Sequence, residues 1–216
     1  MKIGIIGSGI VGQTLAKGFL FKGDDVMIGT NDASKREDLK AKTGGKAKIG
    51  SFEEVARFGE ILVLAAKGTG AESAVKSVGV AHLKGKIVID ATNPIADVPP
   101  TNGVLKFFTS TDESLMERLQ RLAPEARFVK AFSCIGNALM VDPDLGGVKP
   151  SMFICGNDAD AKKQVGTIVE RFGFDVEDMG GVEAARAIEP LCILWCLPGF
   201  LRNDWMHALK MVRKGK

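Results

Sequence analysis

Short apolar runs alternate along this chain with stretches in which apolar positions recur every three to four residues. Residues 2–6 (KIGII) show no helical period, whereas Ile10, Val11, Thr14, Leu15, Phe19 and Leu20 recur at the spacing of a helix's packing side. Further strands are predicted over 26–29, 47–49, 60–66, 86–91 and 127–132. Helices are predicted after Ser51, where SFEE opens as a capping box, over 71–78, and over 112–122 with Leu115, Leu119 and Leu122 on one stripe. Runs as uniformly apolar as EILVLAA (60–66) suit strands buried on both faces. The alternation therefore predicts an α/β protein with a mostly parallel sheet.

The pattern loosens after residue 94. Residues 95–111 contain Pro99, Pro100 and Gly103 and read as an ordered loop over a cleft. Residues 133–150 hold too many glycines and prolines for one element, yet carry Ile135, Leu139, Met140 and Val141. They suit either the wall of a site for a flat, partly apolar substrate or a short helix and loop packed into the core. Strands at 151–156 and 174–179 flank a helix capped by Asn157 or Asp158. From Val182 a final helical region is expected to kink at Pro190 and at Pro198-Gly199. The organisation expected is a nucleotide-binding domain over 1–180 and a C-terminal helical segment over 181–216 packed on the sheet. Trp195, Phe200 and Trp205 would close the sheet or form a dimer contact.

The candidate chemistry begins at the first strand. Gly7-Ser8-Gly9-Ile10-Val11-Gly12 is G-x-G-x-x-G between a buried strand and an apolar-periodic helix, the context in which this motif cradles a dinucleotide. Gly7 allows the turn, Gly9 lets a pyrophosphate approach, and Gly12 lets helix and strand pack closely. The fold class is then a Rossmann-type doubly wound sheet with a small C-terminal helical portion. After the second strand an NAD site normally places an acid; this chain has Gly29-Thr30-Asn31. Thr30 and Asn31 as donors, with Lys35 or Arg36 supplying charge, favour NADP, although Asp32 argues the other way unless it caps the following helix. Ala65 and Ala66 leave room at the sheet edge, Lys67 reaches phosphate or solvent, and Thr92-Asn93-Pro94 offers a second set of contacts.

Composition narrows the chemistry. The chain has 216 residues, of which 45% are apolar and 25% charged, as in globular domains, and 26 glycines sit singly or paired at element ends. A net charge of +3, evenly spread apart from the tail from Lys210, argues against a nucleic-acid partner. The apolar stretch 191–201 is too short for a membrane span of about 20 residues, and a strand starting at Lys2 leaves no leader expected, so the location expected is cytoplasmic. The four cysteines form no CxxC pair, and no metal-ligand cluster is expected. There is no tyrosine, and His82 and His207 lie far in sequence from every predicted cofactor edge. A carbonyl reductase needs a proton donor, whereas transfer of a hydride between two flat rings mainly needs them held together.

IGIIGSGIVG (3–12), VMIGTN (26–31), VIDATNP (88–94) and MGGVEAARAIEPL (179–191) resemble the coenzyme F420-dependent NADP oxidoreductase family over almost the full chain. The resemblance implies a dimeric protein passing a hydride between NADPH and a deazaflavin, or a flavin, with no catalytic side chain. The family's Ser/Thr-Arg pair after the second strand is met by Thr30 but not by Asn31, and Lys67 replaces an apolar or proline-containing link. An NADPH-dependent reductase of a small carbonyl or imine, and a non-catalytic NADP-binding protein, remain alternatives.

Overall fold

The computed structural model describes residues 1–214. Gly215 and Lys216, the end of the basic tail and of the predicted C-terminal segment, lie outside the described residues. Strands β1 (Lys2–Ile6), β2 (Asp25–Gly29), β3 (Lys48–Gly50), β4 (Ile61–Leu64), β5 (Ile87–Asp90) and β6 (Arg127–Lys130) form one parallel sheet in the order β3-β2-β1-β4-β5-β6. This is the doubly wound order in which the chain reverses direction between β1 and β4, the crevice where such sheets take ligands. Every residue of β4 and β5 is buried, because helices cover both faces.

On one face, α1 (Ile10–Phe21) and α6 (Ala159–Arg171) pack through Leu15, Phe19, Val165, Ile168 and Val169. Phe172 is the hub there, with ring centroids 4.8 Å from Phe19 and 5.6 Å from Phe132. On the other face, α3 (Phe52–Phe58), α4 (Gly68–Val78) and α5 (Leu115–Leu122) cover Leu62, Leu64, Val88 and Phe128. Ser51 and Ser114 close the capping boxes of α3 and α5 with Glu54 and Glu117. A parallel pair, β7 (Ser151–Ile154) and β8 (Asp175–Asp178), joins the end of β6 through an antiparallel bridge between Lys130 and Cys155. Asp158, not Asn157, caps α6 by accepting from the Ala161 amide at 2.7 Å.

Several strands end earlier than their apolar runs. Ala65, Ala66, Ala131 and Phe132 lie beyond the ladders, and Phe132 turns into the left-handed region at φ 60°. Residues 95–107 fold back as a ribbon, with Ile95 bridged to Phe107 and Thr101 to Val104. Within 133–150 the regular structure is a 3₁₀ turn at Asn137–Leu139. Ile135, Leu139 and Met140 belong to the core, so of the two expectations for this stretch the packing one holds.

The C-terminal region runs through a 3₁₀ turn (Val182–Ala184), α7 (Ala185–Ile188) and α8 (Leu191–Arg202), with Pro198 inside the last. As one run, Val182–Arg202 has the length and mean hydropathy, 1.4, to cross a membrane, more than the shorter apolar stretch implies. Here its charged Arg186 and Glu189 are held in ion contacts with Glu117 of α5 and Lys130 of β6. Beyond Arg202 the described chain is not helical. The Ser151 amide donates to the Leu209 carbonyl at 2.9 Å, Lys210 pairs with Asp175, and Arg213 donates to Glu177 at 2.9 Å. Lys210 and Arg213 of the basic tail are thus matched to acids of β8. Trp195 donates to the His207 carbonyl at 2.8 Å and stacks on its ring, which uses this tryptophan inside the fold.

Arg186 fixes α7 to α5 by donating through Nε and Nη2 to the Glu117 carboxylate, at 3.0 Å for Nε to Oε2. Chiefly through these bonds, the Glu117 carboxyl is held down at about 2. A depressed carboxyl stabilises the fold above its unfolded value, and that contribution is lost as pH falls through the folded one. Glu117→Gln is therefore expected to lower stability at neutral pH and to flatten the acid limb between about pH 4.5 and 2. Denaturant melts across that range check this, and an unchanged limb would remove the pair from the acid response.

Candidate functional site

The three glycines of the first loop do different work. Gly7 leaves β1 at φ +128°, and a Cβ there would stand 2.5 Å from the Ala65 carbonyl oxygen. A Cβ on Gly12 would lie 2.2 Å from the Gly7 carbonyl oxygen. Both are packing requirements of the β1–α1 joint. A Cβ on Gly9 would meet nothing within 4 Å, so Gly9 borders open space just where α1 begins without a side-chain cap. The orphan amides of a first helical turn there form an anion cradle. Ser8 ties the loop to the end of β2, its hydroxyl donating to Thr30 Oγ1 at 3.4 Å, and its carbonyl accepts from Gln13 at 2.8 Å. Ile10, expected on the packing side of the helix, is instead 60% exposed, because it opens the first turn and borders the cleft.

That cleft, of about 320 Å³, brings together Gly9, Ile10, Val11, Ala65, Ala66, Lys67, Thr92 and Asn93 of the predicted residues. Gly68, Ala91 and Ile95 complete it. The strongest signal for Gly68 is steric: a Cβ there would sit 1.9 Å from the Asn93 carbonyl oxygen, so the start of α4 presses on the turn after β5. Ile95 carries no motif and is placed by its bridge to Phe107. Pro94 is buried behind this lining. Lys67, at the N-cap of α4, forms an ion pair with Asp97 on the 95–107 ribbon. The Lys67 side chain is 70% exposed, and the pair ties the cleft lining to the ribbon.

The predicted group after β2 stays at that strand's end, apart from the cleft lining. Thr30 is buried and takes a bond from the Asp32 amide at 3.1 Å. Asp32 caps the 3₁₀ turn Ala33–Lys35 by accepting from the Ser34 amide and hydroxyl, bonds that hold its carboxyl below the usual range. Lys35 pairs with Asp32 at 3.4 Å, while Asn31 and Arg36 are exposed. Thr30, Asn31, Ser34, Lys35 and Arg36 form one rim that could surround a 2′-phosphate.

Beneath the turn after β5 lies a feature the sequence reading missed. Lys130, wholly buried on β6, has its ammonium 2.7 Å from Asp90 Oδ2 and 2.9 Å from Glu189 Oε1, and donates to the Thr92 carbonyl at 2.8 Å. Burial opposes its charge, yet the two carboxylates hold its pKa above the usual lysine value. Glu189 also accepts the first amides of α5, Leu115 and Met116, each at 3.0 Å. Asn93 Nδ2 donates to the Ser133 carbonyl at 2.6 Å, linking the turns after β5 and β6. Other candidate acid–base groups are placed elsewhere. His82 faces Glu53 at 3.3 Å, His207 stacks on Trp195, and burial pushes the Cys134 thiol up to about 11.

A glycine cradle at the switch point of a 3-2-1-4-5-6 sheet, opening on a small cleft, defines a protein of the dinucleotide-binding Rossmann class. Comparison with known proteins sharpens this. A family model described as NADP oxidoreductase coenzyme F420-dependent matches residues 2–94. The F420-dependent NADP reductase of Methanothermobacter marburgensis is 30% identical over 223 residues, 94% of this chain and 96% of that protein. A crystal structure from Arthrobacter sp. FB24, described as a candidate F420-dependent NADP reductase, superposes with a TM-score of 0.91 at 31% identity, over 99% of this chain and 100% of that one. Metalloreductase STEAP3 of Rattus norvegicus is 29% identical over 93% of this chain, which spans only 39% of that protein's length. The imine reductase of Streptomyces aurantiacus, at 17% identity and a TM-score of 0.66, shares the fold. The chain belongs to the F420-dependent NADP reductase family.

Two substitutions test the placement of the nucleotide. Gly9→Val puts a branched side chain into open space, so the melting temperature should stay near wild type while NADPH affinity falls by about 100-fold or more, the cost of blocking a backbone cradle. Calorimetric titration beside a thermal melt checks this; unchanged affinity would place the pyrophosphate elsewhere. Lys35→Ala should weaken NADPH by about 3- to 10-fold, the worth of one exposed charge, and leave NADH nearly unaffected. Equal losses for the two nucleotides would take Lys35 out of the phosphate rim.

Proposed function

We propose that this protein moves a hydride between NADPH and a flat, F420-type acceptor ring, and that the glycine loop, the end of β2 and the 92–94 turn together hold the nucleotide. The observation that carries the reading is the lining of the cleft. Its single ionisable side chain is Lys67, which is engaged by Asp97, and the rest is backbone, methyl groups, a hydroxyl and an amide. Such a lining offers little to protonate a nascent alkoxide or amine. It suits two rings stacked at about 3–3.5 Å, where proximity and orientation supply most of the catalysis. NADPH, when bound, supplies the hydride from its nicotinamide. Gly9 and the first turn of α1 would hold the pyrophosphate, and Thr30, Asn31, Lys35 and Arg36 the 2′-phosphate. Ala65 and Ala66 leave the space, while Thr92 and Asn93 border the nicotinamide end.

The same reading makes the protein a cytoplasmic homodimer. Phe200 and Leu201 of α8 are exposed at the ribbon's tip, where a Cβ on Gly103 would touch Leu201 at 3.2 Å and Phe200 at 3.4 Å, and Val104 next in the chain is exposed too. A second copy would cover this continuous apolar face, a point that sedimentation equilibrium addresses directly.

The deciding experiment is anaerobic hydride transfer from NADPH and NADH to F420, with FMN, FAD and a ferric chelate run in parallel. The expected result is NADPH-preferring loss of F420 absorbance. Turnover with FMN or FAD alone would move the acceptor to a flavin while keeping the ring-to-ring chemistry. Turnover with none of them, in a protein that still binds NADPH, would overturn the reading.

A further inference from the structure

From the buried cluster under the 92–94 turn we infer that Lys130 is a positioning residue for the nicotinamide end of the site, acting through the Thr92 carbonyl and locked by Glu189. The inference rests on the nucleotide placement proposed above, but not on the identity of the acceptor. Three observations carry it. First, the Lys130 ammonium reaches the backbone of the very turn that lines the cleft, donating to the Thr92 carbonyl at 2.8 Å. Second, the contact is reciprocated one residue on, where Asn93 Nδ2 donates to the Ser133 carbonyl at 2.6 Å, so the turns after β5 and β6 are held to each other in both directions. Third, the joint is under tension. Phe132 stands at φ 60°, a conformation unfavourable for an aromatic residue, and Asn93 Oδ1 and Ser133 Oγ are buried without hydrogen-bond partners among the described residues. Such a joint relaxes unless its surroundings over-determine it, and the surroundings here are Lys130, Asp90 and Glu189.

Asp90 completes the device. Its Oδ1 accepts from the Thr92 amide at 2.9 Å and from the Thr92 hydroxyl at 2.6 Å, while its Oδ2 faces Lys130 at 2.7 Å. Thr92 is thereby gripped at its amide, hydroxyl and carbonyl by one ion pair. Glu189 anchors that pair from the opposite side, because its carboxylate is itself fixed by the first two amides of α5. The segment MGGVEAARAIEPL therefore reaches the site without touching the cleft: Arg186 secures α7 to α5, and Glu189 secures Lys130. The C-terminal helices become part of what sets the nicotinamide geometry.

The test uses the full chain carrying Lys130→Met or, should that variant not fold, Glu189→Gln, which keeps the shape and removes one charge. Two ligands separate positioning from general stability: NADPH, and adenosine 2′,5′-bisphosphate, which lacks the nicotinamide. The bisphosphate should bind within about twofold of wild type, whereas the fluorescence gain of bound NADPH, which reports an immobilised dihydronicotinamide, should fall by about half or more. Single-turnover hydride transfer should drop in parallel. A lower melting temperature with an unchanged fluorescence gain, or equal loss of both ligands, would overturn the inference and leave Lys130 a purely structural residue. A wild-type protein that binds neither ligand overturns the nucleotide placement as well. Wild-type NADPH binding without F420 turnover sinks only the acceptor assignment, and the fluorescence comparison still decides the role of Lys130.

Discussion

A lysine ammonium sealed from water survives only where fixed groups replace every hydrogen bond and most of the solvation that water gave it. In this protein those groups come from β5, from the turn after it and from α7, and they converge on Lys130. Removing one member of such a cluster costs about 3–5 kcal/mol, because the remaining charge is left buried and uncompensated. The constraint is geometric as well as energetic. Two carboxylates and a carbonyl can meet one ammonium in few arrangements, and one of those carboxylates must also meet the first amides of α5, so the segment that carries Glu189 has a single seat. An apolar replacement could match the stability but would specify that seat less sharply. Here the cluster stands directly beneath a ligand-facing turn, which gives the specificity a use.

The same economy of contact governs the sheet edge. Gly7, Gly12 and Gly68 are places where backbone meets backbone at distances a Cβ would not allow, with clearances of 2.5, 2.2 and 1.9 Å. These approaches draw the loop after β1, the start of α4 and the turn after β5 around one small space. Gly9 belongs to a different category, since the volume its missing side chain leaves is open. One motif therefore combines glycines that the packing of the fold requires with one that it does not. The tension at Phe132 belongs to this edge too: a left-handed aromatic of this kind costs about 1–3 kcal/mol and persists only where neighbours hold it.

Local physics made much of this legible in the sequence. Uniformly apolar runs gave the parallel strands, helical periodicity gave the crossovers, and SFEE gave a real capping box. Strand ends were read too long where an apolar run continues past its last partner, as at Ala65-Ala66 and Ala131-Phe132. Burial keeps such residues apolar, but only a neighbouring strand makes them ladder. The start of α4 was missed because Gly68 and Gly70 are poor helix formers, and Gly68 is there to clear Asn93. The pairing of the tail's Lys210 and Arg213 with Asp175 and Glu177 is not legible locally, because the partners are far apart in sequence. Lys130 and Glu189 were invisible as a pair for the same reason. Arg186 and Glu189 lie three residues apart in the chain, yet each looks to a different element, Arg186 to α5 and Glu189 to β6.

The adenosine end follows a weaker physics than the nicotinamide end. Lys35 and Asp32 are 60% and 47% exposed, and such a pair contributes at most about 1 kcal/mol. A phosphate beside it is repelled by Asp32 nearly as strongly as it is drawn by Lys35, unless the lysine swings away. Arg36 has a carboxylate neighbour of its own in Glu54, whose carboxyl it helps to hold down. The neutral donor that can meet a 2′-phosphate without giving up a bond to Asp32 is therefore the Asn31 amide, since the Ser34 hydroxyl donates to Asp32 Oδ1 and the Thr30 hydroxyl to the Asp32 carbonyl. Each net hydrogen bond of this kind is worth about 1 kcal/mol, and unlike the ion pairs it is little weakened by salt. With Asn31 where the family places arginine, the preference for NADPH over NADH proposed for this rim rests on direction more than on charge. Raising ionic strength should therefore erode it less than it would an arginine-built site.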